Sequence, residues 1–193
     1  MRLMLIFIGL TAAFISPATA HPSSTSAASF SAGIAHPFSG LDHIAAMVAV
    51  GLWAALKGDR ALWVWPVTFI SVMLFGAVLG MARVAVPFVE PGILVSVVAL
   101  GLAVTLAIDL PVTIGAAIIG VFALLHGHAH GTEVAETING LEYMAGFAVA
   151  TATLHALGIS LALDARCGPV RPAIRLVGVT CIVIGIGLFS GVL

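Results

Sequence analysis

The sequence predicts an all-α integral membrane protein, a six-transmembrane-helix bundle after a cleaved signal peptide. Three observations predict it. Hydrophobic residues make up 61% of the 193-residue chain and charged residues 8%, against about 25% charged in an ordinary soluble domain. Six apolar stretches each approach the roughly twenty residues that a helix needs to cross a bilayer. The turns between them are short, and a backbone in hydrocarbon must satisfy its own polar groups, which makes helices the expected form.

At the amino end, Arg2 supplies a positive charge and Leu3 to Ile15 an apolar core short for a span. Ala18-Thr19-Ala20 then supplies a small-residue cleavage site. Residues 1–20 read as a secretory signal peptide, with His21 the first residue of the mature chain. Residues 21–35, rich in Ser, Ala and Thr, are expected to form a flexible extracytoplasmic leader, and 36–193 a single transmembrane domain. The spans are predicted at 38–56, 61–82, 91–108, 111–128, 137–163 and 172–193. Gly76-x-x-x-Gly80 in the second and Gly187-x-x-x-Gly191 in the sixth permit close helix approach. Three spans followed by three admit an inverted repeat, as in many secondary transporters, although the halves share little sequence. Cys167 falls in a polar loop and Cys181 in an apolar segment, so neither a disulfide framework nor a metal-binding C-x-x-C pair is expected.

A cleaved signal peptide puts the mature amino terminus outside the cytoplasm and the first, third and fifth turns inside. Lys57, Arg60, Arg166, Arg171 and Arg175 lie at those turns, whereas the outer turns hold only Arg83. The positive-inside rule therefore gives the same orientation. Trp53, Trp63 and Trp65 flank the first inner turn, where an aromatic belt is expected. In this orientation two histidine-rich segments, distant in sequence, meet the same outer face.

The first segment is His36-Pro-Phe-Ser-Gly-Leu-Asp42-His43. An Asp at the centre of a spanning helix costs roughly 2.5–3.5 kcal/mol on insertion scales, so Asp42 calls for a partner. Pro37 suits the first turn of a helix, with His36 near the N-cap. On a regular helix His36 and His43 share a face but lie roughly 10 Å apart along the axis. They can share one ion only if the chain is irregular at Gly40 or other helices complete the site. Asp42 is either a ligand or the acceptor that orients an imidazole.

The second segment is His126-Gly-His-Ala-His130-Gly-Thr-Glu133. On a helix His126, His130 and Glu133 form one stripe and His128 points nearly the other way. Alternatively Gly127 and Gly131 loosen the helix and let His128 join. Glu142, inside the fifth span, is a candidate ion-path residue or partner to a histidine, and Glu136 is expected at the surface. His155, deep in that span, is either a pathway ligand or a hydrogen-bonded core residue. The amine and imidazole of His21 together could chelate a metal. Imidazole and carboxylate without thiolate suit Ni²⁺, Co²⁺, Zn²⁺ or Cu²⁺. Net charge is −1 and no Lys/Arg run occurs, so no nucleic-acid partner is expected. The expected partners are a divalent metal ion and the lipid bilayer, with homo-oligomerisation left open.

These two segments resemble the HupE/UreJ family, hydrogenase- and urease-associated membrane proteins regarded as nickel permeases. His36, Pro37, Gly40, Asp42 and His43 match the family's first motif, and His126, Gly127, Ala129, His130, Gly131 and Glu133 its second. Leu125 stands where family members often carry Phe, and the stretch from Tyr143 to Gly158 is also similar. The resemblance implies a non-enzymatic secondary transporter without a tightly bound cofactor. It would take up Ni²⁺, with Co²⁺ a further candidate, across the bacterial inner membrane for hydrogenase or urease maturation, its mature amino terminus periplasmic. No G-x-x-x-x-G-K-[ST] motif occurs that would couple the chain itself to ATP. Three other readings remain: an intramembrane metal-dependent hydrolase, a haem-binding subunit, or a non-transporting metal-binding accessory protein.

Overall fold

Long apolar runs without charge have one local way to pair their backbone groups. In the computed structural model, which describes residues 25–134, 139–164 and 171–192, all regular structure is helical. Helix α1 (Thr25–Ala35) runs into a 3₁₀ turn (His36–Phe38). Then follow α2 (Leu41–Lys57), α3 (Ala61–Met81), α4 (Val89–Thr105), α5 (Val112–Glu133), α6 (Gly140–Asp164) and α7 (Arg171–Phe189). The expected signal peptide, His21, Glu136 and Cys167 lie outside the described residues.

The six predicted spans map onto helices of unequal kind. Helices α3, α5, α6 and α7 are long and apolar enough to cross a membrane. A fifth crossing requires the pair Ser29–Phe38 and Leu41–Lys57, which is bent by 81°. Helix α4, of 17 residues, is a shorter apolar helix.

Helix α2 is the core. It packs against α6, α4, α3 and α7, and everything from Ala45 to Ala55 is buried. A helix apolar on all sides belongs at the centre of a bundle. The other principal pairs are α3 with α5 and α4 with α7. Exchanging α2–α4 for α5–α7 in order carries the α3–α5 pair onto α6–α2 and the α4–α5 pair onto α7–α2, while α4–α7 and α3–α6 map onto themselves. The contacts of α2 with α3 and α4 break this exchange.

Glycine sets how closely α3 and α5 cross. A Cβ on Gly76 or Gly80 would overlap the carbonyls of Leu124 and His128, and one on Gly127 or Gly131 those of Met73 and Ala77. Gly127 and Gly131 therefore admit a neighbouring backbone and leave α5 an unbroken α-helix, rather than loosening it. On α7 the close approach is made by Gly178, against Gly101 and Thr105 of α4. Gly191 of the predicted Gly187–Gly191 pair faces open space.

Two expectations are corrected. Residues 25–35, expected as part of a flexible leader, form helix α1, which packs along α6. Gly33 and Gly146 face each other's helices there, and Ser29 Oγ accepts the Asn139 N–H at 3.1 Å. A helix this short is marginal alone, so it is the tertiary seat that holds it. Nor do the tryptophans form a belt, since only Trp63 points outward, 57% exposed. Trp53 and Trp65 are buried against each other with ring centroids 4.4 Å apart. Their indole N–H groups donate to Ile108 O (2.8 Å) and Val112 O (2.9 Å), carbonyls flanking the α4–α5 turn. Lys57 Nζ donates to Asp109 Oδ1 at this same end, tying the first turn to the third.

Candidate metal centre

The bend before α2 answers how His36 and His43 can meet. Ser39 N and Oγ both donate to His36 O (2.9 and 2.6 Å), closing the 3₁₀ turn, and Gly40 is extended (φ −107°, ψ 127°). A Cβ at Gly40 would stand 2.6 Å from Asp42 Oδ1 and 3.0 Å from His43 Nδ1, so a side chain there would press on the site itself. His36 lies within the turn rather than capping a spanning helix, and the chain folds back until the His36 and His43 rings are 6.3 Å apart. The chain is irregular at Gly40, and a second helix joins the cluster as well.

Helix α5 brings its stripe to the same place. His43 Nδ1 lies 2.9 Å from Asp42 Oδ1, and His130 Nδ1 lies 3.1 Å from Glu133 Oε2. His36 Nε2 reaches the same Glu133 oxygen at 3.5 Å. An ionised carboxylate only accepts, so both Nδ1 atoms carry the proton and both Nε2 atoms carry a lone pair. Those two Nε2 atoms, of His43 and His130, point at each other in direct contact. Facing imidazole nitrogens are an arrangement that a shared proton bridges at contact and a metal ion bridges once the rings part, and a carboxylate behind each imidazole is the usual support of a metal-ligating histidine. Ligand atoms of His36, His130 and Glu133 also lie within 4.8 Å of one another.

The cluster grades from open to closed. The side chain of Glu133 is 54% exposed, that of His36 34% and that of His130 4%. His126, fully buried, sits behind His43 with ring centroids 5.4 Å apart. Phe147 lies against the rings of His130 (4.7 Å) and His36 (5.9 Å), and Tyr143 against His36 (5.9 Å). This aromatic wall was not singled out from the sequence. Its signal was present, because Tyr143 and Phe147 are one turn apart on the span that also carries Glu142.

The remaining candidates lie elsewhere. His128 turns to the far side of α5, where its Nε2 donates to Val84 O at 2.7 Å and its Nδ1 is buried without a hydrogen bond. The unbroken helix places it there. Glu142, in the first turn of α6, buries one carboxylate oxygen without a hydrogen bond and stands outside the cluster. His155 is buried deep in α6 and bonds to Met47 O at 2.8 Å.

The HupE / UreJ protein family matches residues 9–188. Protein HupE of Rhizobium leguminosarum bv. viciae is 50% identical over 131 residues, which are 68% of this chain and 69% of that protein. No solved structure matches. Both histidine motifs converge on one cluster and the family match runs through nearly all of the sequence; the chain belongs to the HupE / UreJ family.

Proposed function

We propose that this protein is a secondary permease for Ni²⁺, with Co²⁺ as a second candidate, serving hydrogenase or urease maturation from the bacterial inner membrane. The observation that carries this is the facing Nε2 pair of His43 and His130, each imidazole backed by a carboxylate, at the step from exposed to buried. Family membership supports the same reading. In it, Glu133 and His36 take the hydrated ion first and His130 and His43 replace part of its water shell. Asp42 supplies charge and holds the His43 tautomer. Neutral imidazoles bind a divalent ion without trapping it as firmly as thiolates would, which suits an ion that must leave again.

On this reading residues 1–20 are removed and the cluster faces the periplasm. The bent α1–α2 pair and α4 complete six crossings. At 17 residues α4 reaches roughly 26 Å, a little under a hydrocarbon core of about 30 Å, a mismatch met by local thinning. The hydrolase reading is weaker because Asp42 and Glu133 are both engaged with imidazole Nδ1 atoms, leaving neither as a free base for a metal-bound water.

The test is metal flux into proteoliposomes. Nickel influx by the wild type that collapses in His36→Ala, Asp42→Ala and His130→Ala supports the permease. Folded protein that binds nickel but passes none would make it an accessory metal-binding protein.

A further inference from the structure

Behind the cluster the bundle buries two imidazoles in one and the same state. His126 Nδ1 lies 3.0 Å from Phe122 O, and His155 Nδ1 lies 2.8 Å from Met47 O. A carbonyl can only accept, so each Nδ1 bears the proton and each Nε2 a lone pair. The two residues are 0% and 1% exposed, and neither Nε2 has a hydrogen bond. A buried histidine kept for packing is expected to satisfy both nitrogens, and His126 and His155, on different helices, each leave the same one free. The two rings flank one side chain, Phe69 of α3, with centroids 5.8 Å (His126) and 5.1 Å (His155) from it.

Other donors gather there. Thr151, one turn before His155 on α6, is fully buried, and its hydroxyl is directed at the thioether of Met73 at 3.8 Å. Met73 is itself fully buried, one turn from Phe69 on α3. Sulfur is a weak acceptor, so the Thr151 oxygen keeps its lone pairs available. His128 also buries a free nitrogen, but on the opposite face of α5 and away from these groups.

The geometry points to a second, inner position for a transition-metal ion, held by His126 Nε2 and His155 Nε2 with the Thr151 hydroxyl and Met73 thioether beside them. It rests on the permease reading, and it is where an ion leaving His43 and His130 is next held. His43 adjoins His126, so the handover runs between neighbouring rings. Imidazole and thioether donors favour Ni²⁺, Co²⁺, Zn²⁺ or Cu²⁺ over Mg²⁺ and Ca²⁺.

Equilibrium dialysis of the full-length purified protein against Ni²⁺, paired with proteoliposome influx, tests it. The wild type should bind about two ions per chain, and His155→Gln about one, with influx lowered roughly tenfold or more. Gln can still donate to Met47 O but offers no imidazole lone pair, and His155→Leu should behave alike. Wild-type stoichiometry and influx in His155→Gln would overturn the inner position. So would a wild type that binds a single ion removed by His36→Ala, although the permease reading would then stand. A wild type that neither binds nor passes nickel would overturn both. Should neither His155 variant fold, the wild-type stoichiometry decides, since one ion per chain overturns the proposal.

Discussion

Asp42 and Glu133 each sit on the Nδ1 side of an imidazole, at 2.9 and 3.1 Å, and through that proton they aim the opposite nitrogen at the site. Asp42→Ala removes the acceptor and frees the His43 ring to turn, so nickel affinity should fall about 10- to 100-fold, read by isothermal titration. Protonation should act in the same direction. A protonated imidazole has no lone pair, so proteoliposome influx should decline once pH falls far enough to protonate the ligand imidazoles, and a profile flat down to about pH 4 would argue against them as the controlling ligands. At this scale the sequence was informative, because the candidates His36, Asp42, His43, His130 and Glu133 are the side chains that the fold brings together. It left open whether His128 joins them. Helix phase settles that, and an unbroken α5 carries His128 to the far side.

Helix α5 shows how one residue type can mislead when an element is read alone. Gly127 and Gly131 admit either a loosened helix or a close crossing, and the neighbour decides, since Met73 and Ala77 of α3 present backbone where a side chain would be. Gly127→Ala puts a methyl into a carbonyl that cannot move freely, and should cost about 1–3 kcal/mol of stability. A melting temperature in detergent equal to the wild type would contradict that crossing. The tryptophans follow the same logic at the opposite end. Trp65→Phe keeps most of the ring volume but removes the indole donor to Val112 O, a loss of about 0.5–1.5 kcal/mol in the same assay. Nothing local in the sequence distinguishes a lipid-facing tryptophan from one that caps a buried turn.

Seen whole, the molecule places the cluster at one end of the bundle and the Lys57–Asp109 pair at the other. In membrane vesicles of known sidedness with Cys167→Ser and Cys181→Ala, Ser39→Cys should react with an impermeant maleimide from the periplasmic side. Asp59→Cys should react only after permeabilisation. The reverse pattern would invert the transport direction proposed here. By itself the sequence determined the helical class, five of the helices to within a few residues, and most of the histidines and carboxylates that the fold gathers into one cluster. Apolar length, turn composition and ligand chemistry are local properties and can be read along the chain. Only the tertiary structure decided that residues 25–35 fold onto α6, that the chain bends at Gly40, and that Tyr143, Phe147 and Phe69 wall the histidines. Each of these depends on what another helix presents across a contact, and no spacing within one segment encodes it.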